Sequence, residues 1–334
     1  MRVVVIGGSR FVGLHLTREL VSRGHDVTVV NRGQTAKELP AGVGRMVADR
    51  KADPGAFAEK VAAAGPWDAV YDCIAYLPTE SEPLVRALWT ARPEAERTLK
   101  HFVHISTGSV YAKTDYLPLK EDFPQTTNSA DSYGWNKKLI EGILFRAWRE
   151  TGLPVTVLRP GYIYGPDNHI YRESFFFDRV RRGRPVLVPG NGLTVTQFVY
   201  VDDLAQALAL VLGNPKAVGE TFNIAGEYGC TLDHYLRLVG EAVGQAVDIR
   251  HYDPDTVGIT PEELRKVFPY KWREHTLRDT SKIREALGYR EKKSLRDGLA
   301  AAYAWYLQNW PAADAPDFSL DDRILAALGT TQKS

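Results

Sequence analysis

The stretch MRVVVIGGSRFVG (1–13) decides the fold. Residues 2–6 have strand character and run into a glycine-rich turn. An amphipathic run over 14–23 follows, stopped by Gly24. Strand, glycine-rich turn and helix N-terminus together make a pyrophosphate site, because backbone N–H groups face the anion and the helix dipole favours it. Gly7 then permits the tight turn, Gly8 leaves room for the phosphate, and Gly13 lets the helix pack close to the sheet. Ser9, Arg10, Phe11 and Val12 complete the candidate dinucleotide-binding set. Position 10 is Arg where such a turn often carries another glycine, so a cation sits in its middle.

Further apolar or β-branched runs occur at 26–30, 45–48, 68–74, 101–105 and 155–159, with helical patterns at 56–64, 82–99 (broken near Pro93) and 132–150. Strand–helix alternation at this spacing predicts an α/β fold, a doubly wound parallel sheet with right-handed crossovers. Beyond Gly165 the regularity falls. A strand and helix over 197–213, a short strand at 222–226 and helices over 231–243 and 294–308 are expected. The boundaries expected are a dinucleotide-binding domain over 1–165, with 197–226 returning to it, and a substrate-binding domain from 166–196 and 227–310. PAADAPD (311–317) reads as a linker to a C-terminal tail ending at 334.

Composition narrows the class. The chain has 334 residues and a formal net charge of +1, a balance that points to neither nucleic acid nor an acidic membrane surface. Cys73 and Cys230 offer no disulfide framework and no zinc spacing. The eight histidines are scattered without a ligand pattern, so no metal is expected. The first apolar run is too short to span a bilayer and leads directly into GGSRFVG. The expectation is no signal peptide, no membrane segment and a cytoplasmic location.

The second strand ends VVNRG, placing Asn31 and Arg32 where an acid would accept from an adenosine 2′-hydroxyl and repel a 2′-phosphate. Arg10 and Arg32 can then both lie near a 2′-phosphate, which favours NADP(H) over NAD(H); as solvated turn residues they would carry no such preference. Asp49, after the third strand, reads either as an acceptor for the adenine amino group or as a solvated loop acid. Arg50 beside it joins the candidate cofactor set.

The chemistry lies downstream. SYGWNKK places Tyr133 and Lys137 at i and i+4 on one helix face, where an ammonium stabilises a phenolate. Y-x-x-x-K also occurs by chance on helices. HISTGSVY, however, puts Thr107 and Ser109 at the C-terminal edge of the fifth strand, the crevice in which open α/β sheets bind ligands.

In order and spacing, GGSRFVG, HISTGSVY, YGWNK, VLRPGYIYGP (157–166) and FVYVDDLAQAL (198–208) resemble the extended short-chain dehydrogenase/reductases, the NAD(P)-dependent epimerase/dehydratase family. The resemblance covers about residues 1–305. It implies a Rossmann domain with a smaller C-terminal domain and hydride transfer between a substrate carbon and nicotinamide. It carries over Thr107, Tyr133 and Lys137 as the catalytic trio, Lys137 also toward the nicotinamide ribose and Pro160 toward the cofactor. Ser109, Tyr162, Thr196 and Arg273 become candidate substrate contacts, and a homodimer through the helices around 82–99 and 132–150 is implied. Leu139, Ile143 and Ala147, with Leu144 and Trp148, give the second helix two apolar faces. The implied partner is a small molecule, a sugar or nucleotide sugar.

Three departures stand out. Arg10 replaces the middle glycine, Asn31–Arg32 replaces the acid, and Thr196 stands where nucleotide-sugar members carry an arginine for the diphosphate. Lys271, Arg273 and Arg278 substitute for that arginine or are ordinary surface charges. Gly108 and Ser109 follow Thr107 where sugar dehydratases of the family place Asp-Glu, which disfavours 4,6-dehydration. GGSRFVG, VVNRG, VADRKAD and FPYKWREHTLRDTSKIREALGY are similar to the atypical members related to chloroplast stem-loop RNA-binding proteins, which supplies RNA binding as the alternative function. The best cationic run for it is VRRGRP (180–185), with three arginines.

Overall fold

The computed structural model describes residues 1–34, 38–310 and 316–331. Six strands, β1 (Arg2–Ile6), β2 (Asp26–Asn31), β3 (Gly44–Val47), β4 (Ala69–Asp72), β5 (His101–Ile105) and β6 (Val155–Pro160), join Glu220–Ile224 in one seven-stranded sheet. Its order is Glu220–Ile224, β6, β5, β4, β1, β2, β3, and every pairing is parallel. Chain order reverses between β1 and β4, so the turns leaving those two strands flank the switch point at which such sheets bind ligands. Val3, Val4, Val5 and Ile6 of β1 are wholly buried, as a strand covered by helices on both faces requires.

Helices α1 (Phe11–Ser22), α2 (Pro54–Ala63), α3 (Pro78–Val85) and α4 (Ser132–Thr151) connect the strands. α4 is capped by the Asp131 carboxylate, which accepts from Gly134 N, and it ends at left-handed Gly152. The helix expected over 82–99 starts instead at Pro78. Glu80 accepts from the amides of Tyr76 and Leu77 at 2.7 and 3.1 Å and so caps the turn before it. Residues Arg86–Thr90 continue as a π-helical turn, and only Glu94–Glu96 is helical after Pro93.

The chain divides into two compact units. The first comprises Met1–Ile163, Val201–Ala225 and Arg278–Lys292. Residues 278–292, placed with the second domain by the sequence pattern, thus pack with the first, where helix Ser281–Leu287 lies against strand Glu220–Ile224. Helix Val201–Val211 packs on α1 in the same unit, and Tyr71 donates its hydroxyl to the Leu208 carbonyl at 2.9 Å.

The second unit comprises Tyr164–Tyr200, Gly226–Leu277 and Lys293–Ser334. Its core is aromatic: the Phe198 and Tyr235 rings stack 4.4 Å apart, with Phe176, Phe268 and Tyr270 around them. Of the linker expected at 311–317, residues 311–315 lie outside the described residues. The tail beyond it forms helix Ser319–Thr331. Arg179 binds Asp321 bidentately at 2.8 and 3.0 Å with both side chains buried, and Ile324 enters a core with Leu187, Tyr252 and Val267.

Candidate active site

The turn after β1 is shaped for close approach of chain to chain. Gly7 has φ +87°, and a Cβ there would stand 2.5 Å from the Ile74 side chain just beyond β4. A Cβ at Gly13 would overlap the Gly7 carbonyl oxygen. Gly8 is required for a different reason from phosphate clearance: its Cβ would point inward, within 2.9 Å of Thr17, Val29 and Val5. Arg10 is the N-cap residue of α1 and makes no side-chain cap, and the first turn holds no acid. The helix therefore opens with its positive dipole end uncompensated by its own side chains, which fits an anionic pyrophosphate. Ser9 and Phe11 are buried, Val12 is half-buried and Arg10 is exposed.

β1 and β2 run in register from Arg2↔Asp26 to Ile6↔Val30, so the turn with Arg10 and the end with Asn31 and Arg32 leave the same sheet edge. Asn31 is turned to local use, its Oδ1 accepting from Gly33 N at 2.8 Å, and Arg32 is exposed. Asp49 is exposed and accepts from Lys51 N at 2.9 Å. Arg50, expected among the cofactor contacts, is engaged within the fold. It is 3% exposed, grips Asp72 through two bonds of 2.8 and 2.9 Å and lies over the Phe57 ring. Burial would raise the Asp72 carboxyl, but the Arg50 charge overrides it and holds the group below the usual carboxylate range.

The β5 edge carries the candidate catalytic groups. Thr107 caps the short turn Gly108–Val110, its Oγ1 accepting from Ser109 N at 3.2 Å. A Cβ at Gly134 would overlap the Ser109 carbonyl oxygen, so the first turn of α4 rests directly on this segment. That contact brings Tyr133 and Lys137 to the edge. Lys137 is 2% exposed and donates to the Ile105 carbonyl at 2.7 Å, while Tyr133 is 44% exposed, open to a ligand. Burial lowers the Lys137 ammonium to about 8, against the opposing pull of Asp72. Structure thus gathers Thr107, Ser109, Tyr133 and Lys137; Pro160 ends β6, and Tyr162 follows it half-buried.

Several contributors escape sequence reasoning. Tyr76 lies 6.3 Å ring to ring from Tyr133, and Lys137 Nζ is 5.2 Å from the centre of its ring. Beneath Thr107, buried Glu141 accepts from Ser106 Oγ at 2.5 Å, Gln125 at 2.6 Å and both arms of Arg159 at 3.0 and 2.6 Å. The i+4 spacing of Glu141 from Lys137 was the available signal, but its partners are remote in sequence. Arg278, read from the sequence as a substitute for the diphosphate arginine or an ordinary surface charge, also lies here: a Cβ at Gly108 would overlap its guanidinium.

Thr196 and Arg273 belong to the second unit. Thr196 Oγ1 shares a hydrogen bond with Thr276 Oγ1 at 2.6 Å; Arg273 pairs with Asp255 at 3.5 Å and stacks 4.3 Å over Trp272. In that unit the cationic run 180–185 is met by its own acids. Arg182 pairs with Asp178, Arg184 pairs with Asp322, and Arg181 lies over Tyr306. No group of His, Cys, Asp and Glu able to hold a metal occurs among the described residues, and none of their helices is long and apolar enough to cross a membrane.

Comparison with known proteins agrees with this geometry. Residues 3–225 match the model of the NAD dependent epimerase/dehydratase family. The chain is 33% identical to chloroplast stem-loop binding protein of 41 kDa b from Arabidopsis thaliana, over 97% of this chain and 84% of that protein. It is 28% identical to a dTDP-glucose 4,6-dehydratase from Actinoplanes sp., covering 92% and 98% of the two. In fold it resembles the UDP-glucose 4-epimerase of Thermotoga maritima (TM-score 0.77, 24% identity, 93% of this chain and 100% of that one). It also resembles UDP-glucuronic acid 4-epimerase from Bacillus cereus in complex with NAD (TM-score 0.74, 20% identity, 94% and 99%). With a Rossmann-like sheet, a glycine turn at its switch point and a family match across two thirds of its length, the chain belongs to the NAD-dependent epimerase/dehydratase family and to its short-chain dehydrogenase/reductase type of enzyme.

Proposed function

We propose that the protein is a nicotinamide-dependent oxidoreductase or epimerase acting at a hydroxyl/carbonyl carbon of a sugar or nucleotide sugar. The observation that carries this is the seating of α4 on the β5 edge, which sets Tyr133 and Lys137 beside Thr107. Backbone amides of the turn Gly7–Gly13 and the Lys137 ammonium would hold the dinucleotide, whose nicotinamide supplies hydride exchange. Tyr133 takes the proton from the substrate hydroxyl oxygen and returns it in the reverse step; Thr107 hydrogen-bonds the same oxygen and orients it. Buried Lys137, held cationic below about pH 8, favours the Tyr133 phenolate that accepts the proton. Relatives named as acting on nucleotide sugars support this substrate class. The test is titration of NAD and NADP into the protein, followed by nicotinamide absorbance with sugar substrates in wild type and Tyr133→Phe. Absence of dinucleotide binding overturns the reading.

Three finer assignments accompany it. Arg10 and Arg32, exposed at one sheet edge with no acid ending β2, favour NADP(H) over NAD(H). Leu139 and Trp148 on α4, 38% and 36% exposed, support a homodimer. The two apolar faces expected on that helix divide differently from their spacing: Ile140, Leu144 and Ala147 are buried within the unit, leaving Leu139, with half-buried Ile143, outward. Light scattering giving a monomer mass at micromolar concentration would sink the dimer. Free Cys73 and Cys230 suit a reducing compartment, the cytoplasm. RNA binding is the weaker function, because the arginines of its best run already meet acids or an aromatic ring of their own unit.

A further inference from the structure

Tyr76 stands against both members of the proposed proton-transfer pair and has no part in the trio or the glycine turn. It lies just beyond β4, on a turn fixed from inside its unit. Buried Glu80 accepts from Tyr76 N at 2.7 Å, and the Glu80 carbonyl accepts from Arg50 Nη2 at 3.3 Å. The same guanidinium grips Asp72 at the end of β4, so one buried cation ties the turn on both sides of Tyr76. The side chain itself is 47% exposed. Its ring lies 6.3 Å from that of Tyr133 and is inclined 39° to it, and Lys137 Nζ sits over its face, 5.2 Å from the centre.

An ammonium within about 6 Å of an aromatic centroid is attracted by the electron-rich face, and the attraction grows where water is displaced. Lys137 meets that condition: it is almost wholly buried, and burial is what works against its charge. The titratable groups that also face it are Asp72 and Cys73 at the end of β4, Glu141 on α4, Arg50 after β3 and His104 on β5. Asp72 and Glu141 favour the charge, but each is gripped through two bonds by an arginine of its own, and Arg50 opposes it. Tyr76 in turn faces Tyr133, Cys73, Glu80 and Asp72. A half-exposed ring on a rigid turn adds less to the core than a buried one. What it supplies here is a face for the Lys137 charge and a neighbour for the Tyr133 ring.

We propose that Tyr76 is a positioning residue for the reaction, whose ring face holds the Lys137 ammonium in its charged form beside Tyr133. This rests on the function proposed above, in which that ammonium binds the dinucleotide and favours the Tyr133 phenolate. Tyr76 acts through Lys137 and moves no proton itself. The ring face carries the effect, so a phenyl ring serves as well as a phenol and an aliphatic side chain does not.

The test reads the Lys137 charge in two ways on the full chain. In urea melts of the dinucleotide-free protein, stability rises with pH once folded Lys137 begins to release its proton. Tyr76→Leu should start that rise about 0.5–1 pH unit lower than wild type, because the charged form has lost its ring. Tyr76→Phe should start it within about 0.2 pH unit of wild type. In the Lys137→Met background, Tyr76→Leu should leave the pH dependence unaltered, which shows that the ring acts through Lys137. Calorimetric titration of NAD and NADP gives the second readout. The affinity of the tighter cofactor should fall on the alkaline side, with its onset shifted down by the same amount in Tyr76→Leu and not in Tyr76→Phe. Tyr76→Met replaces Tyr76→Leu if the latter does not fold. A rise that starts at the wild-type pH in Tyr76→Leu overturns the inference, as does a Phe variant shifted as far as the Leu variant, or a shift that persists without Lys137. A wild type that binds dinucleotide while the onset in Tyr76→Leu stays unmoved fails this inference alone. One that binds neither cofactor fails the function beneath it.

Discussion

Lys137 Nζ donates over 2.7 Å to the main-chain oxygen of Ile105, two residues before Thr107. This bond joins the helix that carries the proposed acid/base, Tyr133, to the strand edge that carries the proposed orienting hydroxyl, Thr107. Tyr133→Phe leaves the bond intact, so it should retain dinucleotide affinity and lose turnover by about 10²–10⁴-fold, the usual contribution of one proton-transfer group. Lys137→Met removes it and should damage both. Wild-type turnover in Tyr133→Phe would refute the assignment of that residue.

The depressed Lys137 pKa makes two pH predictions. Its native value of about 8 lies below the ordinary 10.5, so between these values the unfolded chain holds a proton that the folded chain has released. The Lys137 contribution to stability therefore rises with pH through that window and is flat below pH 8. Urea melts at pH 8 and pH 10 should show Lys137→Met losing this gain, on the order of 2 kcal/mol relative to wild type. Activity runs oppositely: kcat/KM should fall above about pH 8 as the ammonium that supports the Tyr133 phenolate is lost. A wild type with no alkaline limb, or a variant that matches wild type at both pH values, contradicts the assignment.

Buried histidines bear on the acid side. Burial lowers His101 to about 4, from an ordinary 6.5, and lowers buried His104 as well. Unfolded chain takes up protons before the folded one, so stability should decline as pH falls from about 6.5 to 4. His101 bonds Thr156 at 2.7 Å, and His104 is lowered by burial and by the nearby Lys137 charge. His104→Leu should flatten part of the acid decline. An unchanged acid slope in folded His104→Leu would show that this ring is not its source.

Arg50 separates structure from cofactor binding. With its carboxylate partner Asp72 wholly buried, Arg50→Met leaves an unmatched charge and should cost about 3–5 kcal/mol in urea unfolding. Dinucleotide affinity at a temperature where the variant is folded should stay within about 3-fold, since the guanidinium is spent on Asp72. A large loss of affinity with unchanged stability would return Arg50 to the cofactor site.

What the sequence made legible was local. The run from β1 through Gly13 declares its turn within thirteen residues, and Tyr133 with Lys137 declares a helix face within five. What it hid depends on distance along the chain. Arg50 reads as a cofactor candidate beside Asp49 because its partner lies 22 residues on. Helix Ser319–Thr331 looks like a tail because the Arg179–Asp321 pair that docks it spans 142 residues. Arg278 and Gly108, far apart in sequence, meet only in the fold. Gly8 fits the pattern for a chemical reason and is needed for a packing one, since both demand an absent side chain.

The cation in the opening turn yields the last prediction. Arg10 follows β1 and Arg32 follows β2; the two strands pair in register up to Ile6↔Val30, and Gly7 N donates to the Val30 carbonyl at 2.9 Å. Both exposed arginines therefore leave one edge, and no acid ends β2 to repel a phosphate. Asn31, which could serve the 2′-hydroxyl of NAD instead, accepts from Gly33 N through Oδ1. Two guanidiniums bound to a 2′-phosphate contribute about 1.5–3 kcal/mol each, enough for a preference of two orders of magnitude. The double change Arg10→Ala, Arg32→Ala should weaken NADP by about 100-fold and NAD by less than about 5-fold. That gap should narrow as salt rises from 50 mM to 500 mM, because both side chains are open to screening. Calorimetric titration of both cofactors decides it: equal losses for the two, or a wild type that already favours NAD, means that the arginines serve the solvent and not the phosphate.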